Sequence, residues 1–166
     1  PSAFNLQNWR FIAVQSAGAK EQLRALSYGQ KPVSDAAVTF IVCGQLEAHR
    51  QLYRNLQPAV DRGIITRDLQ QTWTDMATNS HEGNPQLQRD EAIRSASLAA
   101  MTLILAAQGM GLASGAIGGF DAEGVAKAYG LGPLDLPVLL VTVGIPAEGN
   151  WPQKPRKPLT EVLDIR

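Results

Sequence analysis

The sequence predicts helices packed around a single β-sheet, in an α/β or α+β arrangement. Three observations lead there. Short apolar runs rich in β-branched residues are too brief to be helices and read as strands. Segments of helical periodicity separate them, which is the pattern of a sheet covered by helices. One long stretch, Gln86 to Gly109, holds no internal Gly or Pro and turns apolar on every side after Ile93, so it lies inside the protein or at an interface. The chain of 166 residues is the size of one domain, and 45% hydrophobic with 18% charged residues is a globular composition.

In chain order, Arg10–Val14 reads as a first strand buried on both faces. Ser16 can cap a helix running to Ser27, with Leu23 and Leu26 on its apolar side. Val38–Cys43 is a second buried strand. Leu46–Arg62 reads as one helix, with Leu46, Leu52, Tyr53, Leu56 and Val60 on a rough stripe and Pro58 kinking or breaking its end. Thr66 can cap a helix from Arg67 to about Thr78, and the composition of residues 79–85 is that of a loop. After the long helix, Gly109 and Gly111 form the stop. Ala113–Ile117 is a short strand and Gly118-Gly119 a turn. Asp121 is placed to cap a helix from Ala122 to Tyr129, closed by Gly130. Pro137–Gly144 is another buried strand. The tail from Gly149 to Arg166 carries Pro152, Pro155 and Pro158 and should be extended.

Fifteen basic and fifteen acidic residues cancel, so bulk charge draws the chain to neither nucleic acid nor an anionic membrane. The apolar run Ala96–Ala107 is too short to span a bilayer. Cys43, the one cysteine, can form no internal disulfide and reads as a small core residue, with the reducing cytoplasm as the default compartment. The chain opens on Pro1-Ser2 without a Met or a basic leader, so no signal peptide is visible, and an upstream segment lying outside this chain is expected.

The chemistry-bearing residues are few. His49 and His81 read as ordinary surface residues without a partner at metal-ligand spacing, so no triad and no metal site is expected. Gly109-Met110-Gly111-Leu112-Ala113-Ser114-Gly115 has glycine spacing suggestive of a dinucleotide fingerprint, but it follows a helix and enters an extended segment, the reverse of what that fingerprint requires. Pro152-Gln153-Lys154-Pro155 fits a PxxP ligand, yet it trails a complete globular pattern. A chain this poor in nucleophiles and bases either binds something or takes its chemistry from a cofactor.

Three segments bear on a cofactor. Pro1–Phe11 sets small and amide side chains ahead of a strand, where they can meet the carbonyl oxygens and nitrogens of a flavin edge. Ala116–Asp121 contains two glycines that admit a flat ring, just before a helix N-terminus. Lys154-Pro155-Arg156-Lys157 can grip a phosphate. Taken singly, a capped loop, a strand-to-helix turn and a solvated tail are the simpler readings of the three.

Their order along the chain is more specific. Pro1-Ser2-x-x-Asn5-x-Gln7-x-Trp9-x-Phe11, then Ala107-Gln108-Gly109-Met110-Gly111, then Ala116-Ile117-Gly118-Gly119-Phe120, then Lys154-x-Arg156-x-Pro158-Leu159 together resemble the FMN-dependent nitroreductase family, from Pro1 to about Val162. The resemblance implies a single α+β domain over residues 1–166, with a central mixed sheet sandwiched by helices and an extended C-terminal arm, residues 147–166, exchanged in a homodimer. It implies two FMN sites at the subunit interface, NADH or NADPH as hydride donor, and nitroaromatics, quinones or similar small electrophiles as acceptors. A flavin-binding protein with little or no redox turnover is the alternative.

Residue by residue, the resemblance puts Ser2, Ala3 and Asn5 against the flavin, commonly from the partner subunit, and Gln30 near the ring. It puts Ile117 and the backbone amides of Gly118 and Gly119 by flavin N5, and Lys154 and Arg156 on the FMN phosphate. The chain departs from the family pattern at four points. The Arg-rich N-terminal helix that grips the phosphate in the family precedes Pro1. Asn8 replaces a Pro before Trp9. Gly29 stands where many members have Asn, and Gly118 replaces an acidic residue.

Overall fold

A computed structural model describes residues 1–166. Its strands are β1 (Trp9–Val14), β2 (Val38–Gln45), β3 (Ala113–Ile117) and β4 (Asp135–Gly144). Its helices are α1 (Ala17–Leu26), α2 (Lys31–Asp35), α3 (Leu52–Asp61), α4 (Arg67–His81), α5 (Pro85–Gly109) and α6 (Ala122–Ala128). The sheet order is β1-β2-β4-β3, and every neighbouring pair is antiparallel. The helix-covered α+β sheet is as expected; the mixed pairing that the resemblance implied is not found among the four strands of this chain.

Side chains alternate across a strand, and here the alternation builds two cores. Ile41 and Cys43 of β2 and Leu140 of β4 face Leu23 of α1, Val33 of α2 and Val125 of α6. Val42 of β2 and Val141 and Val143 of β4 face Ala96, Ala100 and Ala107 of α5. A third cluster, Leu6 with Leu52, Leu56 and Ala77, ties the N-terminal segment to α3 and α4. Cys43 is the core residue expected, and burial, with Asp135 nearby, pushes its thiol up to about 11.

Gly44 decides how closely α5 lies on the sheet. A Cβ there would sit 2.6 Å from the Ala92 carbonyl oxygen, so a glycine in β2 and an alanine in α5 let the two backbones meet. Small residues recur along this face of the helix, and Ala92, Ala96 and Ala100 are sealed. The opposite face, with Leu98, Met101 and Leu105, is open. At 25 residues the whole helix is long and apolar enough to cross a membrane by length and composition. Its first half carries Arg89, Asp90, Glu91 and Arg94, and its alanine face is spent on the sheet.

Several expectations need correction. β1 is an edge strand, with Val14 its one fully buried residue; apolarity records that a strand is covered somewhere, not its place in the order. Trp9 and Phe11 instead line a cleft of about 320 Å³ with Pro1, Ala99, Thr102, Leu103 and Ala106. Leu46–Arg62 is not one helix. Glu47 takes a left-handed conformation (φ 55°), a 3-10 turn covers Ala48–Gln51, and α3 starts only at Leu52. Pro58 lies within α3 without breaking it. The loop at 79–85 shrinks to Glu82–Asn84, because α4 continues through His81 and the Asn84 side chain accepts from the Leu87 amide to start α5. α2, with Pro32 in its first turn, was not anticipated.

The caps at Ser16, Thr66 and Asp121 form as expected, each side-chain oxygen accepting from the amide three residues on. His49 and His81 are the largest departure. Both are buried, with ring centroids 5.6 Å apart. A lone histidine in polar sequence looks solvated, but the 3-10 turn and the extra length of α4 fold these two inward.

Candidate cofactor site

The turn after β3 and the link between α1 and α2 converge. Gln30 Nε2 donates to the Gly119 carbonyl at 2.7 Å and to the Ser27 carbonyl at 3.0 Å. The Asp121 amide donates to the Leu26 carbonyl at 2.8 Å, so the whole 118–121 turn is docked against the end of α1. Both protons of the Gln30 amide are therefore spent on backbone, and its Oε1 remains as the acceptor. The link itself is tight: Tyr28 and Gly29 are left-handed (φ 55° and 75°), and Arg24 Nε donates to the Gly29 carbonyl.

Neither glycine of the turn needs its freedom for a positive φ. Their smallness leaves space instead. A Cβ on Gly118 would meet nothing within 4 Å, and one on Gly119 would meet only Gln30 Nε2 at 3.8 Å. Ile117 packs against the first core cluster, so only its backbone can belong to a site here. The N-terminus of α6 does not offer an anion site, because the Asp121 carboxylate already accepts from Gly124.

The N-terminal segment is a separate, strained piece. Phe4, Asn5 and Gln7 are all left-handed (φ 49°, 58° and 49°), a conformation that costs a non-glycine residue about 1 kcal/mol or more and persists where surroundings enforce it. Ser2 Oγ accepts from the Gln7 amide at 2.9 Å, and Leu6 anchors the segment in the third cluster. Asn5 is exposed.

These two pieces do not meet. The N-terminal segment leads into β1 at one edge of the sheet, and the Gly118-Gly119 turn leaves β3 at the other. Three strand spacings separate the edges, roughly 14 Å. Lys154 and Arg156 join neither. Residues 145–166 are exposed throughout, with only a short 3-10 turn at Leu159–Glu161. Lys154 Nζ lies 5.6 Å from the Trp151 ring centre, and Arg156 donates to the Lys154 carbonyl. Neither cation has an acidic partner, so both are available to an anion.

The Nitroreductase family model matches residues 1–145. The chain belongs to the nitroreductase family. Among its relatives, YodC of Bacillus subtilis, named as an NAD(P)H nitroreductase, is 33% identical over 98% of this chain and 79% of its own length. MhqN of the same organism, named likewise, is 31% identical over 99% of this chain and 81% of its own. Among solved structures, the B. subtilis nitroreductase ydfN superposes with a TM-score of 0.92 at 30% identity, covering all of this chain and 81% of that one. A nitroreductase from Exiguobacterium sibiricum, solved in complex with FMN, gives 0.90 at 26% identity, covering all of this chain and 80% of that one. Membership makes the protein an oxidoreductase of the flavin type. Of the site residues expected from sequence, the fold brings Gln30 to Gly119 and leaves the Ser2–Asn5 segment and the Lys154–Arg156 pair apart from them. The Gln30–Gly119 bond spans 89 residues, and no local pattern announced it.

Proposed function

We propose that this chain is an FMN-dependent oxidoreductase that passes hydride from NADH or NADPH to nitroaromatics, quinones or similar flat electrophiles, and that two copies complete each site. The observation that carries this reading is the split of the family-matching residues between opposite sheet edges. A second copy can bring a Ser2–Asn5 segment to the Gln30–Gly119 edge, which no rearrangement within one sheet can do.

The residues present suit a flavin mononucleotide. The open space at Gly118 and Gly119 admits a planar ring, Gln30 Oε1 is an acceptor for a ring N–H, and the exposed Asn5 amide can donate and accept. Lys154 and Arg156 carry the charge that a phosphate needs. When bound, the flavin supplies the hydride chemistry that none of these side chains can. The protein's own part is to orient. The Gly119 turn is fixed by Gln30 and by the Leu26 carbonyl, so amides beside the ring are held before any substrate arrives and need no reorganisation. The unpaired α5 face and the arm, with Trp151, Leu159, Val162 and Ile165 exposed, are the surfaces a homodimer would cover and would exclude water with.

The test is the visible spectrum of the purified protein carrying bound FMN, recorded anaerobically before and after NADPH. Bleaching, followed by recovery on adding a quinone, supports the enzyme. A flavin spectrum that persists with both NADH and NADPH would favour the binding protein without turnover.

A further inference from the structure

Four buried polar atoms have no partner: Gln70 Oε1 by itself, and Asn8 Oδ1, His49 Nδ1 and His81 Nε2 together. The latter three residues line one small cavity, bounded also by Leu6, Gln45, Glu47 and Gln88. The hydrogen bonds around them fix which atoms carry protons. His49 Nε2 lies 2.9 Å from Glu82 Oε2, and Glu82 is held as a carboxylate by Arg50, so this nitrogen donates. His81 Nδ1 lies 2.9 Å from the Ala77 carbonyl, which can only accept, so it donates too. In each neutral ring the other nitrogen is then a bare lone pair. Asn8 Oδ1 adds a third acceptor. Three unanswered acceptors in a buried place cost about 1–3 kcal/mol each unless something meets them.

The missing species must carry positive charge or donors. Water is the ordinary answer, but the cavity holds no water-sized void. A shared proton is excluded by distance, because neither ring nitrogen comes within hydrogen-bonding reach of the other. A metal ion is smaller than water. Imidazole nitrogens bind Zn²⁺ at about 2.0–2.1 Å, which sets the ring centres of two ligands on one ion about 5–6 Å apart; the centres here are 5.6 Å apart. The far nitrogen of each ring is tied to a carboxylate or a backbone carbonyl, the support that metal-binding histidines ordinarily have. No group of three His, Cys, Asp or Glu residues is arranged for a metal, so the donor set is a mixed one of two imidazoles and an amide oxygen.

We propose that His49, His81 and Asn8 form a binding site for a borderline divalent ion of the Zn²⁺ class, joining the 3-10 turn at Ala48–Gln51 and the end of α4 to the residue that precedes β1. Through Asn8 the ion would brace the strained Ser2–Gln7 segment. The site does not depend on the flavin reading, since none of its three donors belongs to the proposed flavin site.

Protein stripped with a chelator is titrated with ZnCl₂, desalted and assayed for metal by atomic emission, with thermal unfolding in parallel. The expected result is one retained ion per chain and a raised unfolding temperature. His81→Gln and His49→Gln should each weaken zinc binding by at least about 10-fold. Wild type that retains no zinc overturns the proposal, and so does equal retention by His81→Gln. Should the histidine variants fail to fold, Asn8→Asp gives a separate reading. A carboxylate at that position should bind zinc more tightly than wild type and make thermal stability more sensitive to chelator. A chelator response equal to that of wild type overturns the assignment of Asn8.

Discussion

The two faces of α5 are both apolar and opposite in circumstance. One carries Ala92, Ala96, Ala100 and Ala107, sealed against β2 and β4. The other carries Leu98, Met101 and Leu105, which are 41%, 49% and 56% exposed. Leu103 and Ile104 also pack towards the sheet, but the sealed positions are alanines and the most exposed apolar ones are Leu and Met, so the chain spends its smallest residues on its closest contact. Apolar composition thus tells that a surface will be covered, and size tells by what: alanines admit the chain's own backbone, while Leu and Met offer area to something that arrives later.

The contrast breaks most violently at Gly44. Gly44→Val should cost about 3 kcal/mol in urea unfolding, because the new side chain strikes the Ala92 backbone and α5 must lift. A loss under about 1 kcal/mol would mean that the inner face is looser than its geometry. On the outer face, Met101→Lys with Leu105→Lys should give a monomer by sedimentation while the helical circular dichroism of the fold is kept, since neither side chain packs in the single chain. A double variant that remains dimeric would assign the outer face to another role.

The arm sharpens the same contrast, being entirely outward. Arg156→Ala should weaken FMN binding by about 10- to 150-fold, the worth of one charge-assisted hydrogen bond of roughly 1.5–3 kcal/mol, and should weaken riboflavin less. Equal loss for both ligands would show that Arg156 positions the arm and does not read phosphate. Gly119→Val is milder for the fold, within about 0.5 kcal/mol, because its Cβ has only Gln30 Nε2 nearby. It should still lower flavin content; unchanged content removes this turn from the site.

The smallest effect belongs to an exposed ion pair closed within the chain. Arg50, and then His49, hold the Glu82 carboxyl near 2 against an ordinary 4.5. A lowered carboxylate pKa contributes stability above the ordinary value and loses it as pH falls through the lowered one. Acid unfolding of wild type and Glu82→Gln should therefore diverge above about pH 4.5 and converge towards pH 2. Parallel curves across that window would show that the ion pair adds nothing.

How far the sequence could be read follows the range of the interactions involved. The caps at Ser16, Thr66 and Asp121 and the strands β2 and β4 were legible because neighbours within a few residues determine them. The edge position of β1 was not, since strand order depends on pairings across the chain. The break at Glu47 was not, because nothing in Leu46–Arg62 signals a non-glycine residue in a left-handed turn. His49 and His81 were misplaced for a related reason: their burial depends on the 3-10 turn at Ala48–Gln51 and the end of α4 closing on each other and on Asn8, which comes from ahead of β1. In the candidate site, the family motifs located Gln30 and Gly119 separately, and only the fold joined them. The same motifs set Ser2 and Asn5 beside them in function, while the fold keeps those residues at the far edge.

That far-edge placement bears on genetics. With a flavin site that draws Ser2–Asn5 from one copy and Gln30–Gly119 from the other, a chain damaged at Asn5 and a chain damaged at Gln30 are each inactive as pure populations. Coexpressed, they would pair into a mixed molecule with one doubly damaged site and one site free of either lesion. Two recessive alleles of this gene would then complement each other, whereas two alleles damaged at the same edge would not.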